Sequence, residues 1–381
     1  MKHPSVTITF SLAFKKLLES NPIASDLIRV SAFLAPDAIP EEIFTLGGTQ
    51  LGENLSRLAN NPLDFVKVMA EAGRFSLIYR NPIRKTFDIH SLVQFVLRAE
   101  MDEDSRRLWA ERSVCAIAQV FPEAEYANWG VYERLLPHAR VTIHWISQCQ
   151  FESETAAVLL SWTGYYLKER GRYSEAEPLL QEALQLYQRL LPEEHLDVTA
   201  SYNNLAELYH SQGSYSKAEP LYIKALQLTQ RLLREEHPYV ATSYNNLANL
   251  YNSQGRYSEA EPLFQKALQL TQRLLGEEHP YVATSYNNLA NLYNSQGRYS
   301  EAEPLFQKAL QLTQRLLGEE HPDVATSYNN LANLYRSQGR YSEAEPLFQK
   351  ALEIASKSLG VNHHTTATIL ANLKSLRDRD A

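Results

Sequence analysis

The chain has 381 residues, 44% of them hydrophobic and 21% charged, with a formal net charge of −7. That length exceeds one compact domain, and the acidic balance, 16 basic against 17 acidic residues in 1–150 and 21 against 27 in 151–381, argues against nucleic acid as a partner. Cys115 and Cys149, the only cysteines, form no CxxC pair, which points to a reducing, cytoplasmic setting rather than a disulfide-stapled secreted fold.

Near the start, VTITFSLAF is apolar but is interrupted by Thr7, Thr9 and Ser11 and followed by Lys15-Lys16, so it reads as structural rather than as a leader. No run reaches the roughly 18 apolar residues of a membrane span, so no membrane contact is expected. Asn21-Pro22 predicts a helix start, with apolar residues through Leu34 and a stop at Pro36. Pro40-Glu41-Glu42-Ile43-Phe44 opens a second helix and Pro62 to Ala72 is a third. Arg74 to Tyr79 and Lys85 to Ile89, around Asn81-Pro82-Ile83-Arg84, read as a β-hairpin. Ser91 to Arg98 returns to helix.

Three helices, a hairpin and a helix over residues 1–100 are a winged-helix-like arrangement. The segment resembles the winged-helix subdomain that follows the nucleotide-binding core in STAND NTPases of the NB-ARC class. Ile89-His90-Ser91-Leu92-Val93 is similar to that family's Met-His-Asp-Leu motif, whose histidine contacts the ADP phosphate. The resemblance makes His90 a nucleotide-contacting candidate, with Ser91 where the motif has aspartate. There is no Gly-Lys pair anywhere and so no GxxxxGK[ST] phosphate loop. No cofactor and no hydrolysis are expected, and an NTPase core would have to act in trans. Residues 101–154, with Trp109, Leu135-Leu136-Pro137-His138 and Trp145, predict a helical bridge.

From residue 155 to 378 one unit recurs. Residues 238–279 and 280–321 are the same 42 letters, and Pro178, Pro220, Pro262, Pro304 and Pro346 keep that spacing, as do His195, His237, His279, His321 and His363. Five units and a final half unit result. In the unit from Pro238, proline at the first helical position and Val240, Tyr244, Leu247, Ala248 and Tyr251 at helical spacing predict a helix to about Gln254. Gly255 is a left-handed stop, and Ser258-Glu259-Ala260-Glu261 reads as a capping box opening a second helix that ends at Gly276. Pro262 would fall in its first turn. Small residues at Ala248, Ala260 and Ala267 permit close helix approach, and each hairpin, unable to bury its stripe alone, stacks on the next.

The run NNLANLYNSQGRYSEAEPLFQKAL resembles the tetratricopeptide pattern, and the 42-residue period with the linker LGEEHPDVA is similar to the kinesin light chain type. The resemblance implies an all-α superhelical solenoid of helix hairpins behind the small N-terminal domain. Repeat one departs from the pattern with Trp162, Thr163 and Gly164, and the last helix, from about His364 to Arg377, reads as a solvating cap.

Polar positions of the first helices fall on one arc: Asn203 and Asn204, then Asn245, Asn246, Asn249 and Asn252, then Asn287, Asn288, Asn291 and Asn294, then Asn329, Asn330, Asn333 and Arg336. In tetratricopeptide proteins this arc lines the concave face, where asparagines bond the backbone of an extended peptide, so the resemblance makes these the candidate peptide-binding residues. The alternative is that asparagine merely fills a wet face. Against that, each asparagine costs about 0.5 kcal/mol of helix stability relative to alanine. Groove cations are scarce, Lys168 and Arg336 only, which argues against capture of a bare C-terminal carboxylate.

Catalysis finds no support: neither GxSxG nor HExxH is present. Histidines one repeat apart would stand about 10 Å from each other, too far to share a zinc ion with bonds of about 2.1 Å. Three readings follow: a non-enzymatic scaffold for a protein or extended peptide, a sensor arm of a STAND NTPase, and a winged-helix DNA-binding regulator. The last is the poorest match, because its recognition helix, Pro62 to Ala72, carries Asp64 and Glu71 beside Lys67.

Overall fold

The computed structural model describes residues 4–59, 61–122, 128–361 and 363–380, which fall into two compact units, Met1–Glu193 and Glu194–Ala381. The first unit opens with α1 (Pro4–Ser20), α2 (Pro22–Ser31), β1 (Ile39–Pro40), α3 (Glu42–Thr45), α4 (Glu53–Ser56) and α5 (Pro62–Arg74). It continues with β2 (Ile78–Asn81), β3 (Thr86–Ile89), α6 (Ser91–Glu100), α7 (Glu103–Val120), α8 (Trp129–Cys149), α9 (Glu154–Glu169) and α10 (Tyr173–Leu190). The Asn21-Pro22 pair starts a helix as expected, and Asn61-Pro62 does the same. Asn21 accepts from the Ala24 amide and Asn61 from the Asp64 amide, each with proline in the first turn, where a missing N–H costs no bond.

The hairpin forms in the register Ile78↔Ile89 and Asn81↔Thr86. It gains a third strand, β1, in the order β1-β3-β2, with Ile39 opposite Phe87. The helix expected from Pro40 is correspondingly reduced to a single turn, because Ile39–Pro40 is taken into the sheet, with proline on an edge strand, where a missing donor is tolerated. Phe44, Phe65 and Phe87 meet beneath the sheet, with Phe44 centred 6.3 and 5.6 Å from the other two rings. Glu41 and Arg80 form a half-buried pair at 2.6 Å. Residues 103–120 and 129–149 form α7 and α8, and α9 packs on both as well as on α10. Tyr166 of α9 stacks on Tyr132 of α8 at 4.8 Å.

The second unit comprises α11 (Leu196–Ser211), α12 (Tyr215–Leu233), α13 (Pro238–Ser253), α14 (Tyr257–Leu275), α15 (Pro280–Ser295), α16 (Tyr299–Leu317), α17 (Pro322–Ser337), α18 (Tyr341–Ser358) and α19 (His364–Asp380). Helices pair as hairpins, each second helix packs on the next first helix, and successive first helices also touch. Gly255, Gly297 and Gly339 take φ near +74° (73°, 73° and 75°) between the helices of a hairpin, a conformation open to glycine without steric cost. Ala248, Ala260 and Ala267 are fully buried, and Phe264, Phe306 and Phe348 fill the space they leave. Burying one such phenylalanine contributes roughly 1.5–3 kcal/mol.

The expected capping box does not form. α14 starts one residue early, after Arg256, and no side chain caps it. Pro262 therefore stands inside the helix, in its second turn, rather than in the first. Glu259 is claimed by Arg256 at 2.7 Å, and the same guanidinium reaches Glu219 of the preceding hairpin at 2.8 Å and lies 4.1 Å over Tyr251. Arg298 and Arg340 repeat the arrangement with Glu261 and Glu301, and with Glu303 and Glu343. At the C-terminal end, Arg377 of α19 takes Glu345 at 2.7 Å. A forked guanidinium can hold two carboxylates where a serine hydroxyl can hold one amide, and so it wins the helix start.

Candidate functional site: the asparagine face of the first helices

The first helices α11, α13, α15 and α17 and the final α19 are anchored at their N-termini by the repeated histidine, whereas α9 is capped by Ser153. The Nδ1 atoms of His195, His237, His279, His321 and His363 accept the amide two residues on, at 3.3 Å for the first and 3.2 Å for the others. This capping role was not legible from residue type, because histidine is not among the favoured N-caps. It does account for a histidine immediately before Pro238, Pro280 and Pro322.

The thirteen asparagines and Arg336 of the predicted arc are all half-buried. Asn245, Asn246 and Asn249 of α13 border a cleft of about 330 Å³ together with Tyr281, Thr284 and Asn288 of α15. The Asn245 Nδ2 donates to Ser285 Oγ at 3.4 Å, and Asn287 repeats this one unit on, donating to Ser327 at 3.3 Å. Asn372 of the cap donates to Asn329 at 3.0 Å. Asn252 does not border this cleft. The Oδ1 atoms of Asn203, Asn245, Asn252, Asn287, Asn294 and Asn333 are buried and accept nothing. A buried acceptor without a donor costs about 1–3 kcal/mol, a cost these oxygens place on the folded array, since they lie beneath its accessible surface.

Two residues the sequence reading passed over stand on the same helices. Tyr239 and Tyr281 are 55% and 57% exposed, each 5.1 Å from the capping histidine ring of its repeat. Their signal was present, since a tyrosine in the first turn of both identical repeats lies off the apolar stripe. At the edge of the array, burial holds the His210 imidazole below its ordinary pKa, against the pull of Glu207.

His90 is placed as a helix cap. Its Nδ1 accepts the Leu92 amide at 3.1 Å, and Phe10 stacks on its ring at 6.4 Å. On α5, Lys67 pairs with Asp64 and Arg74 with Glu71, both at 2.8 Å, so the basic groups of that helix are locally neutralised. Among the described residues, no group of three His, Cys, Asp or Glu could hold a metal ion, and no helix is long and apolar enough to cross a membrane.

A helix-hairpin array whose first helices share one polar face defines a repeat protein of the superhelical class. The tetratricopeptide repeat family matches in overlapping copies over residues 154–231, 197–268, 239–311, 281–357 and 323–379, and the chain belongs to that family. Residues 13–106 match a domain of unknown function (DUF7779). A nucleotide-binding leucine-rich repeat (NLR)-like protein of Hyaloscypha variabilis is 34% identical over 198 residues, which are 51% of this chain and 18% of that protein. This chain thus spans less than a fifth of that relative's length. Among solved structures, BtubC (BKLC) of P. vanneervenii is 28% identical with a TM-score of 0.47, over 66% of this chain and 92% of the other. A Podosopora anserina chain described as a kinesin light chain with nearly identical TPR-like repeats is 28% identical with a TM-score of 0.44, over 52% and 94%.

Proposed function

We propose that the chain is a non-enzymatic interaction scaffold whose asparagine face takes an extended peptide or a partner protein, with residues 155–378 as the binding array, 1–100 as a winged-helix-like head and 101–154 as the bridge between them. The cleft of about 330 Å³ that Asn245, Asn246 and Asn249 of α13 border together with Asn288 of α15 carries this reading. An extended backbone presents N–H and C=O groups at regular intervals and could exchange hydrogen bonds with the side-chain amides that border such a cleft. Changing Asn245, Asn249, Asn287 and Asn291 together to alanine removes polar contacts that net about 0.5–1.5 kcal/mol each and raises helix propensity. Partner affinity, measured by titration with a partner recovered by pull-down, should therefore fall while the melting temperature rises. Undiminished binding by the quadruple variant would make the asparagines filler.

A second reading is favoured by the similarity to an NLR-like protein. The chain would be a sensor arm working with a nucleotide-binding core in trans, His90 facing the nucleotide. Co-purification with such a core, lost in His90→Ala, tests it.

A further inference from the structure

Three arginines of the N-terminal unit collect around one cleft. Arg98 near the end of α6 and Arg106 and Arg107 of α7 border a space of about 540 Å³, together with Phe95, Trp145 and the end of α8 at Cys149. The guanidinium hydrogen bonds all end on main-chain carbonyls. Arg98 donates to Ala32, Arg106 to Arg98 and Met101 at 3.2 Å each, and Arg107 to Cys149 at 2.9 Å. None of the three is in an ion pair with a described carboxylate, although Glu103 lines the cleft and is exposed.

A carbonyl satisfies a donor without cancelling a unit charge. The C-terminal ends of α6 and α8 contribute about half a negative charge each, and Glu103 one more, so a positive excess remains in a partly desolvated place. The Arg98 guanidinium is held below its ordinary pKa by burial and by Arg106, as expected for like charges lacking a counter-ion. The other wall is aromatic. Arg98 lies 5.7 Å over the Trp145 ring, the indole N–H of Trp145 is buried without a partner, and Phe95 is 51% exposed. A planar carboxylate satisfies one guanidinium fork, whereas a phosphate with three terminal oxygens can accept from several arginines at once.

We infer that this cleft is a binding site for an aromatic phosphomonoester, the phosphate held by Arg98, Arg106 and Arg107 and the ring lodged against Phe95 and Trp145. This site is separate from the asparagine face and stands or falls without it. The test is calorimetric titration of the full chain at low salt with phenyl phosphate, and with inorganic phosphate as the ring-free probe. Phenyl phosphate should bind more tightly than inorganic phosphate. Arg107→Ala, which removes a largely exposed side chain, should weaken binding about tenfold or more, since bonds to charged groups are the strong ones. Glu103→Gln should tighten it severalfold, an effect that arginines serving only to cap helices would not produce, and it keeps the test decisive if Arg107→Ala does not fold. Absence of binding by either probe, or an Arg107→Ala protein that binds like the parent, overturns the site. Equal affinity for the two probes overturns the aromatic part of the assignment.

Discussion

The Met1–Glu193 unit and the Glu194–Ala381 unit are both largely helical, yet different kinds of contact hold them together. In the array each contact recurs: Phe264, Phe306 and Phe348 are fully buried at the same position of successive hairpins, and Arg256, Arg298 and Arg340 each hold a carboxylate on either side of a hairpin boundary. In the N-terminal unit the corresponding contacts are unique. The Gln94 amide donates to both Ser31 and Leu34 carbonyls, Glu41 meets Arg80, and Phe44 sits between Phe65 and Phe87. Contacts in an array link neighbours only, so damage there should stay local, whereas one lost contact in a unit without repetition has no substitute.

The largest effect that can break this comparison comes from truncating a core phenylalanine in each unit. Phe44→Ala and Phe264→Ala should each cost about 3–5 kcal/mol. Hydrogen exchange on the full chain should show protection lost throughout the sheet and α2 to α7 in the first case, and only in α12 to α15 in the second. Equal spread of the two defects would mean that the array is no more modular than the N-terminal unit.

Acid should separate the units next. Burial pushes the His138 imidazole down to about 4, its backbone hydrogen bond with Ala38 opposing, so the folded protein binds its proton less readily than the unfolded chain. The sign follows: the contribution is intact above pH 6.5 and is lost as pH falls toward 4, on the order of 3 kcal/mol in total. The array's shifted carboxylates lie below their ordinary range, Glu259, Glu301 and Glu343 because Arg256, Arg298 and Arg340 bond them and Glu320 because Lys357 does, so their contribution is lost only at lower pH. Lowered His210 adds a weaker early loss. Acid unfolding followed by exchange should therefore expose the N-terminal unit first; simultaneous loss would remove His138 as the cause.

The smallest effect concerns the arginine ladder. Arg298→Ala should lower the melting temperature of the array slightly, and the difference should shrink as salt is added, because exposed pairs are screened. A large, salt-independent drop would show that packing on Tyr293, 4.1 Å below the guanidinium, matters more than charge.

Much of this was readable in the chain because the signals are local. Asn21-Pro22 and Asn61-Pro62 hold both cap and first turn within a few residues, and the 42-residue period announces every hairpin of the array. The polar arc follows from helical spacing, and all its members are half-buried where the first helices lie side by side. Strand β1 was hidden, since two residues carry no periodicity and are strand only beside Phe87 and Thr86. The failed capping box was hidden for a related reason: Ser258 and Glu259 read as a local device, but Arg256 also answers to Glu219, 37 residues away. The arginine cleft gathers residues 95 to 150 from three helices, and no spacing in the sequence marks it.

What the sequence determined by itself was whatever depends on chemistry within one turn or one period: helix starts and stops, the apolar stripes, and the number and phase of the hairpins. Tertiary structure alone decided which buried acceptors remain without donors, as in the asparagine Oδ1 atoms, and which cations meet carbonyls rather than carboxylates, as in the guanidinium cluster. Partnership across tens of residues depends on where packing brings two backbones, and the free energy of a buried polar group depends on that meeting rather than on the residue's own identity.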